Sequence, residues 1–169
     1  MTQLIDFKSI VAAAQRIDGS VVRTPTVESS MLAGMVERPV FLKLENLQTG
    51  GSFKARGVLN KFSALQEGLS DSHFVAVSGG NFGIAIGEAA KRFGARVTVI
   101  MPESAPSSSV ERIRASGSTV IVEADVHAAF ARAKTLEAEG YVVIDDCADT
   151  LIAEGMEHWP LSSLPTARP

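Results

Sequence analysis

The chain has 169 residues, 16 basic and 19 acidic side chains, a formal charge of −3 and 46% hydrophobic residues. That length holds one domain with a real core, burying roughly 70% of its unfolded surface. There is no basic block, no RNA-binding aromatic pattern, no signal peptide in Met1 to Asp6 and no apolar run long enough to span a bilayer. Nucleic acid and membrane are therefore excluded as expected partners, and the expected location is cytoplasmic. The single cysteine, Cys147, excludes an intramolecular disulfide and is expected to be a small buried hydrophobe. His73, His127 and His158 are scattered, so no metal site is expected.

Taken in chain order, Ile10, Ala13, Ala14 and Ile17 have helical spacing and predict a helix over Ile5 to Ile17. Val40 to Leu44 reads as a strand by length and apolar content. Gly51-Ser52-Phe53-Lys54-Ala55-Arg56-Gly57 follows as a small-residue turn. Val58, Leu59, Phe62 and Leu65 then return to helical spacing. Lys54 is thus expected at a strand-to-helix junction, where small residues let a bulky group approach the backbone. A lysine desolvated there would be a better nucleophile toward an aldehyde, as a Schiff-base lysine must be. The alternative is a solvated surface lysine.

Phe74 to Val77 predicts the next strand, and Ser78-Gly79-Gly80-Asn81-Phe82-Gly83 follows it. Phe82, Ala85, Ile86, Ala89, Ala90 and Phe93 then share one face of a helix over 81–93. Backbone N–H groups at such a helix start bind anions, and the glycines clear side chains from their approach. An ordinary turn, with Gly and Asn chosen for backbone reasons, is the alternative. Beyond it, strands over 97–101, 119–122 and 141–144 alternate with helices over 107–116 and 126–139. Gly94, Gly117 and Gly140 each follow a helix, as C′ glycines do. The alternation predicts an α/β fold: a small open parallel sheet with helices on its faces.

Glu45-Asn46-Leu47-Gln48, the lysine motif and the Ser78–Asn81 loop, in that order, resemble the serine/threonine dehydratase group of fold-type II pyridoxal-phosphate enzymes, of the tryptophan synthase β-like superfamily. The resemblance runs from about Phe7 to about Ala153. It implies that Lys54 bonds the aldehyde of pyridoxal 5'-phosphate and later moves the substrate α-proton. Phe53 would pack near the cofactor ring, and Asn81 would hydrogen-bond its phenolic oxygen. Ser78, Gly79, Gly80 and Asn81 would hold the substrate carboxylate. The activity implied is an ammonia-lyase reaction on an amino acid of the L-threonine or L-serine class, giving a 2-oxo acid and ammonia.

The chain departs from that group at several places. Gly50 stands beside the motif where a threonine is usual, so one hydroxyl is lost. Phe82 stands where a histidine is usual and cannot donate to a carboxylate. Gly79 stands where the racemases of the group place a serine, which makes racemisation the lesser expectation. The Gly-rich phosphate loop and the pyridine-nitrogen partner of the family have no counterpart in these residues. The expected organisation is therefore an incomplete N-terminal part of a second α/β domain over 1–50, a small α/β domain over 51–153, and an unrelated tail over 154–169. Two of the seven prolines lie in the last five residues, and the tail shows no regular period.

The expectation for the chain is a truncated, impaired member of the group. A non-catalytic paralogue that self-associates or joins a full-length relative is the alternative. A dinucleotide-binding start is a further possibility, with Glu103 where a ribose-binding acid would sit, but Gly79-Gly80-Asn81-Phe82-Gly83 does not fit Gly-x-Gly-x-x-Gly.

Overall fold

The computed structural model describes residues 5–65 and 68–158. The sheet forms where the apolar runs predict it. Strands β3 (His73–Val77), β4 (Arg96–Pro102), β5 (Thr119–Glu123) and β6 (Val142–Val143) pair in the order β5-β4-β3-β6. All three pairings are parallel. The numbering follows the described strands, of which β1 (Thr26–Glu28) and β2 (Phe41–Lys43) form a separate antiparallel pair. The fold is α/β, as expected.

Alternate residues of β3 point to opposite faces, as a pleat requires. Phe74 and Ala76 join the larger core with Val97, Val99 and Met101 of β4. That face carries α3 (Lys54–Ala64), α4 (Asn81–Phe93) and α5 (Ser107–Ala115). Phe62 of α3 is fully buried and stacks at a tilt on Phe74 and Phe93. Val75 and Ile100 face the other way, against Ala129, Ala133 and Leu136 of α6 (Val126–Ala138). The chain steps from β3 outward to β5 and returns through α6 to the far side of β3. The two directions of travel diverge between β3 and β6, which is where open parallel sheets leave a crevice at their carboxyl ends.

The residues before α3 use fewer apolar contacts. Helix α1 (Phe7–Arg16) starts on Asp6, whose carboxylate accepts from the Ser9 N–H at 2.8 Å. Helix α2 (Ser30–Val36) contains no buried residue, and Met31 and Met35 are 72% and 75% exposed. Polar links hold this part together and tie it to α3. Arg56 is fully buried, with Nε and Nη2 donating to the two Glu45 carboxylate oxygens at 2.8 and 2.7 Å. Nη2 also donates to the Val22 carbonyl. The Gln48 side chain bonds both the N–H and the carbonyl of Val22.

The change of character expected after Ala153 does not fall there. Helix α7 (Thr150–Glu157) runs straight through that point, with Asp149 capping it through the Ile152 N–H. Ile152, Glu154 and Gly155 are buried. The helix is held by close packing on α3, and Asn60 of α3 donates to the Leu151 carbonyl. Residues 159–169 of the expected tail lie outside the described residues.

Candidate active site

The lysine motif is presented by two short 3-10 turns, Glu45–Leu47 and Thr49–Gly51, rather than directly by a strand. Gly50 and Gly51 take φ of 76° and 85°, which side chains resist, so the glycines set the turn that aims the next residues into α3. Gly50 lies against Ile84 and Ala85 at the start of α4. Arg112 of α5 donates to the Gly50 carbonyl at 3.2 Å and pins the turn from the other side. Lys54 is the first residue of α3 and Phe53 its cap.

Helix α4 has no side-chain cap: Gly80 holds the cap position. The Ser78 hydroxyl instead accepts from the Gly80 and Gly83 N–H groups, at 3.2 and 2.8 Å. The N–H groups of Asn81 and Phe82 are left without an acceptor among the described residues. A side chain at Gly79 or Gly80 would meet nothing within 4 Å, so the turn faces open space. Gly83 is different: a Cβ there would come 2.8 Å from Ile113. That glycine serves the packing of α4 on α5 and, against Val99 of β4, on the sheet. Phe82, at the motif position of a carboxylate-facing histidine, is 4% exposed and packs into the larger core. Asn81 is exposed.

The two motifs meet through a residue that sequence spacing does not reveal. The Lys54 Nζ donates to Asp146 Oδ2 at 2.8 Å, and both side chains are about three-quarters buried, at 23% and 25% exposure. Desolvation alone is the sequence-based expectation for this amine; it lies instead against a carboxylate. The Phe53 ring centroid is 5.3 Å from the same nitrogen.

Asp146 follows β6, whose Val143 pairs with Val75 of β3. Ser78 follows β3 and Asp146 lies in the turn after the neighbouring parallel strand β6, so both stand at the carboxyl ends of adjacent strands. The Ile144 N–H donates to the Val75 carbonyl and fixes the approach. Lys54 and the Ser78–Asn81 turn therefore share the crevice between β3 and β6.

Cys147 sits beside this pair. It is exposed, not buried as expected, and its Sγ lies 3.6 Å from Asp146 Oδ1. The Asp146 charge, followed by its hydrogen bond, raises the Cys147 pKa and keeps the thiol protonated. Asp145, Asp146 and Cys147 lie close enough together to hold a cation, but Asp145 and Cys147 are exposed and Asp146 is already paired with Lys54. A groove of about 200 Å³ lies between α6 and the ends of β3 and β6, lined by Phe130, Lys134, Glu137, Val77 and Asp146 and not by Lys54 or the glycine turn. A larger one, about 420 Å³, runs between α3 and α4 over Ala55, Leu59 and Ala89, away from Lys54 and the glycine turn.

A partly buried lysine amine, an open glycine turn and unsatisfied helix N–H groups at one end of the sheet suit a small anionic carbonyl compound and an amino acid. The residues present fit one end of pyridoxal phosphate on that account: an amine for its aldehyde and donors for an anion.

A family model described as pyridoxal-phosphate dependent enzyme matches residues 17–159. The match thus extends past Ala153, the limit of the resemblance in the sequence motifs. A mouse protein, L-serine dehydratase/L-threonine deaminase, is 39% identical over 139 residues, covering 79% of this chain and 42% of its own. The solved structure of T.th. threonine deaminase is 34% identical with a TM-score of 0.83, covering 94% of this chain and 50% of its own. Maize serine racemase is 31% identical with a TM-score of 0.86, covering 95% and 49%. The chain spans about two fifths of the curated relative's length and half of each solved one. Among the described residues no helix is long and apolar enough to cross a membrane.

Proposed function

The chain belongs to the family of pyridoxal-phosphate-dependent enzymes, and on that premise we propose that it carries the lysine-bearing part of an ammonia-lyase. The reaction is loss of the β-hydroxyl and then the amino group of an L-serine or L-threonine-class amino acid, yielding a 2-oxo acid and ammonia. When bound, the cofactor supplies an electron sink for the carbanionic charge. The chain's own residues supply position and proton handling.

Lys54 is the covalent anchor and the group that moves the substrate α-proton at its Nζ. Phe53, beside that nitrogen, packs the ring. Asn81, exposed at the head of α4, takes the phenolic oxygen. The open turn of Ser78, Gly79, Gly80 and Asn81 takes the carboxylate on the N–H groups it leaves free, Asn81 and Phe82 among them, where the helix dipole favours negative charge; those of Ser78 and Gly80 already donate to the Ile100 carbonyl and the Ser78 hydroxyl. The observation that carries this reading is the shared crevice of Lys54 and the glycine turn.

These 169 residues contain no counterpart of the family's phosphate loop. An incompletely fixed cofactor costs rate steeply, about a hundredfold for a ~1 Å misplacement. The isolated chain should therefore turn over far below the ordinary enzyme range of about 1–10³ s⁻¹. The assay is ammonia and 2-oxo acid release from L-threonine and L-serine with added cofactor. Residual turnover that vanishes in Lys54→Ala supports the reading. Turnover that survives the substitution contradicts it.

A second reading is a non-catalytic paralogue that associates with a full-length relative. The exposed apolar side chains of Phe7, Met31, Met35 and Phe41, at 67%, 72%, 75% and 63%, favour it. Such a chain would run as a heteromer when mixed with a full-length serine/threonine dehydratase, and would gain no turnover of its own.

A further inference from the structure

Lys54 is held in the resting protein by a carboxylate that the proposed chemistry does not use. The loop carrying that carboxylate is built to stay in place. Asp145 accepts from the Cys147 and Ala148 N–H groups at 2.8 and 3.2 Å. The Asp149 N–H donates to the Asp145 carbonyl, and Asp149 then caps α7. Asp145 is thereby committed to the backbone, and Asp146 alone of the two reaches the lysine. Lys61, the next lysine along α3, has its own partner in Asp149 at 2.8 Å. The two ion pairs tie α3 to the one loop and do not share a carboxylate.

An ammonium nitrogen has no lone pair to offer a carbonyl carbon. A charge-assisted hydrogen bond to a carboxylate fixes the nitrogen's position and occupies the direction from which it would attack. Before Lys54 condenses with any aldehyde, its Nζ must leave Asp146.

We infer that Asp146 is a positioning residue for Lys54, parking the amine at the crevice as an ion pair and slowing its condensation with aldehydes until the pair opens. The inference rests on the reading of Lys54 as the cofactor lysine. It adds a residue from the far end of the domain that controls when that lysine reacts. The pair is partly exposed, so its effect on rate is moderate, about two- to five-fold.

The test uses formaldehyde with cyanoborohydride on the full chain, read by peptide mass mapping. The Lys54 amine attacks the carbonyl carbon, the oxygen leaves as water, and the hydride reduces the new C=N bond to an N-methyl group. Lys61 serves as the internal reference, because its partner is untouched. In Asp146→Asn the initial methylation rate at Lys54, relative to Lys61, should rise about two- to five-fold. Asp146→Glu, which restores the charge, should bring it back toward the parent value. An unchanged or lower relative rate in Asp146→Asn overturns the inference. If that variant loosens the fold, Lys61 labelling rises too, and Asp146→Glu decides: a rate well above the parent's in a folded Asp146→Glu chain also overturns it.

A parallel arm with pyridoxal phosphate separates this inference from the functional reading. Failure of parent and variants alike to form an adduct at Lys54 breaks the cofactor assignment. It leaves the formaldehyde comparison to judge Asp146.

Discussion

Gly155 of α7 lies directly on Gly57 of α3. A Cβ added at Gly155 would come 2.6 Å from the Arg56 carbonyl oxygen and 2.8 Å from the Gly57 Cα. The last glycine of the lysine motif is thus a helix-packing residue. Its partner stands in the segment whose sequence looks foreign to the domain. Gly155→Ala should destabilise the chain by about 1–3 kcal/mol through overpacking. Truncation after Ala153 should cost at least as much, because Gly155 and the last turn of α7 go with it. Urea unfolding of the two variants checks this; loss of less than about 0.5 kcal/mol in both would show that α7 does not pack as described.

The Arg56–Glu45 pair yields a second prediction. Arg56 is completely buried, and Nη1 has no acceptor among the described residues. The pair joins the turn before the lysine motif to the motif itself. Glu45→Leu should cost about 3 kcal/mol, because it strands a buried charge. Adding Arg56→Met to the same chain should recover part of that loss. A double variant as unstable as the sum of the singles, in denaturant midpoint and slope, would mean the two do not interact.

Stability should fall on the acid side for a traceable reason. Burial, and then the Arg56 charge, hold the His158 pKa below its ordinary value. Burial, and then Arg96, do the same for His73. Both are therefore favoured neutral in the fold, whereas an unfolded histidine takes a proton near about pH 6.5. Their contribution is present above that value and is lost as pH falls through it toward the lowered folded values. For Glu45, burial is the largest influence and raises the pKa. Hydrogen bonds from Arg56 and Thr24, with the Arg56 and Lys43 charges, together outweigh it and lower the pKa. That contribution persists to about pH 4.3 and disappears below it. The urea midpoint should drop between about pH 7.5 and about pH 5.5, and His73→Gln should flatten the drop. A midpoint that rises over that interval contradicts the assignment.

Much of the sheet is legible in the sequence because its strands are apolar runs bounded by glycines, and its helices repeat apolar residues on one face. The sequence ranges 74–77, 97–101, 119–122 and 141–144 find strands within one or two residues of the observed ends. Gly94, Gly117 and Gly140 do take positive φ. Strand β1 escapes notice because its three residues are all exposed and carry no alternation. Helix α2 escapes it for a related reason: nothing on it is buried, so it leaves no apolar stripe. Helix α7 is misjudged because the residues after Ala153 show no regular apolar period, while Gly155 is required by its packing on Gly57.

In the site, Lys54 and Ser78 to Asn81 are legible from local motifs. Asp146 is not, because only the β3–β6 pairing brings it to a lysine 92 residues away. Phe82 carries two signals that conflict. Its motif position points to the carboxylate, its place on the apolar stripe points to the core, and the stripe prevails.

The most direct measurement of the central claim is borohydride trapping of the full chain with pyridoxal phosphate, followed by peptide mass mapping. A reduced adduct is expected, concentrated on the peptide carrying Lys54 and absent from it in Lys54→Ala. Labelling spread over the surface lysines, with a pattern unchanged by Lys54→Ala, would contradict it.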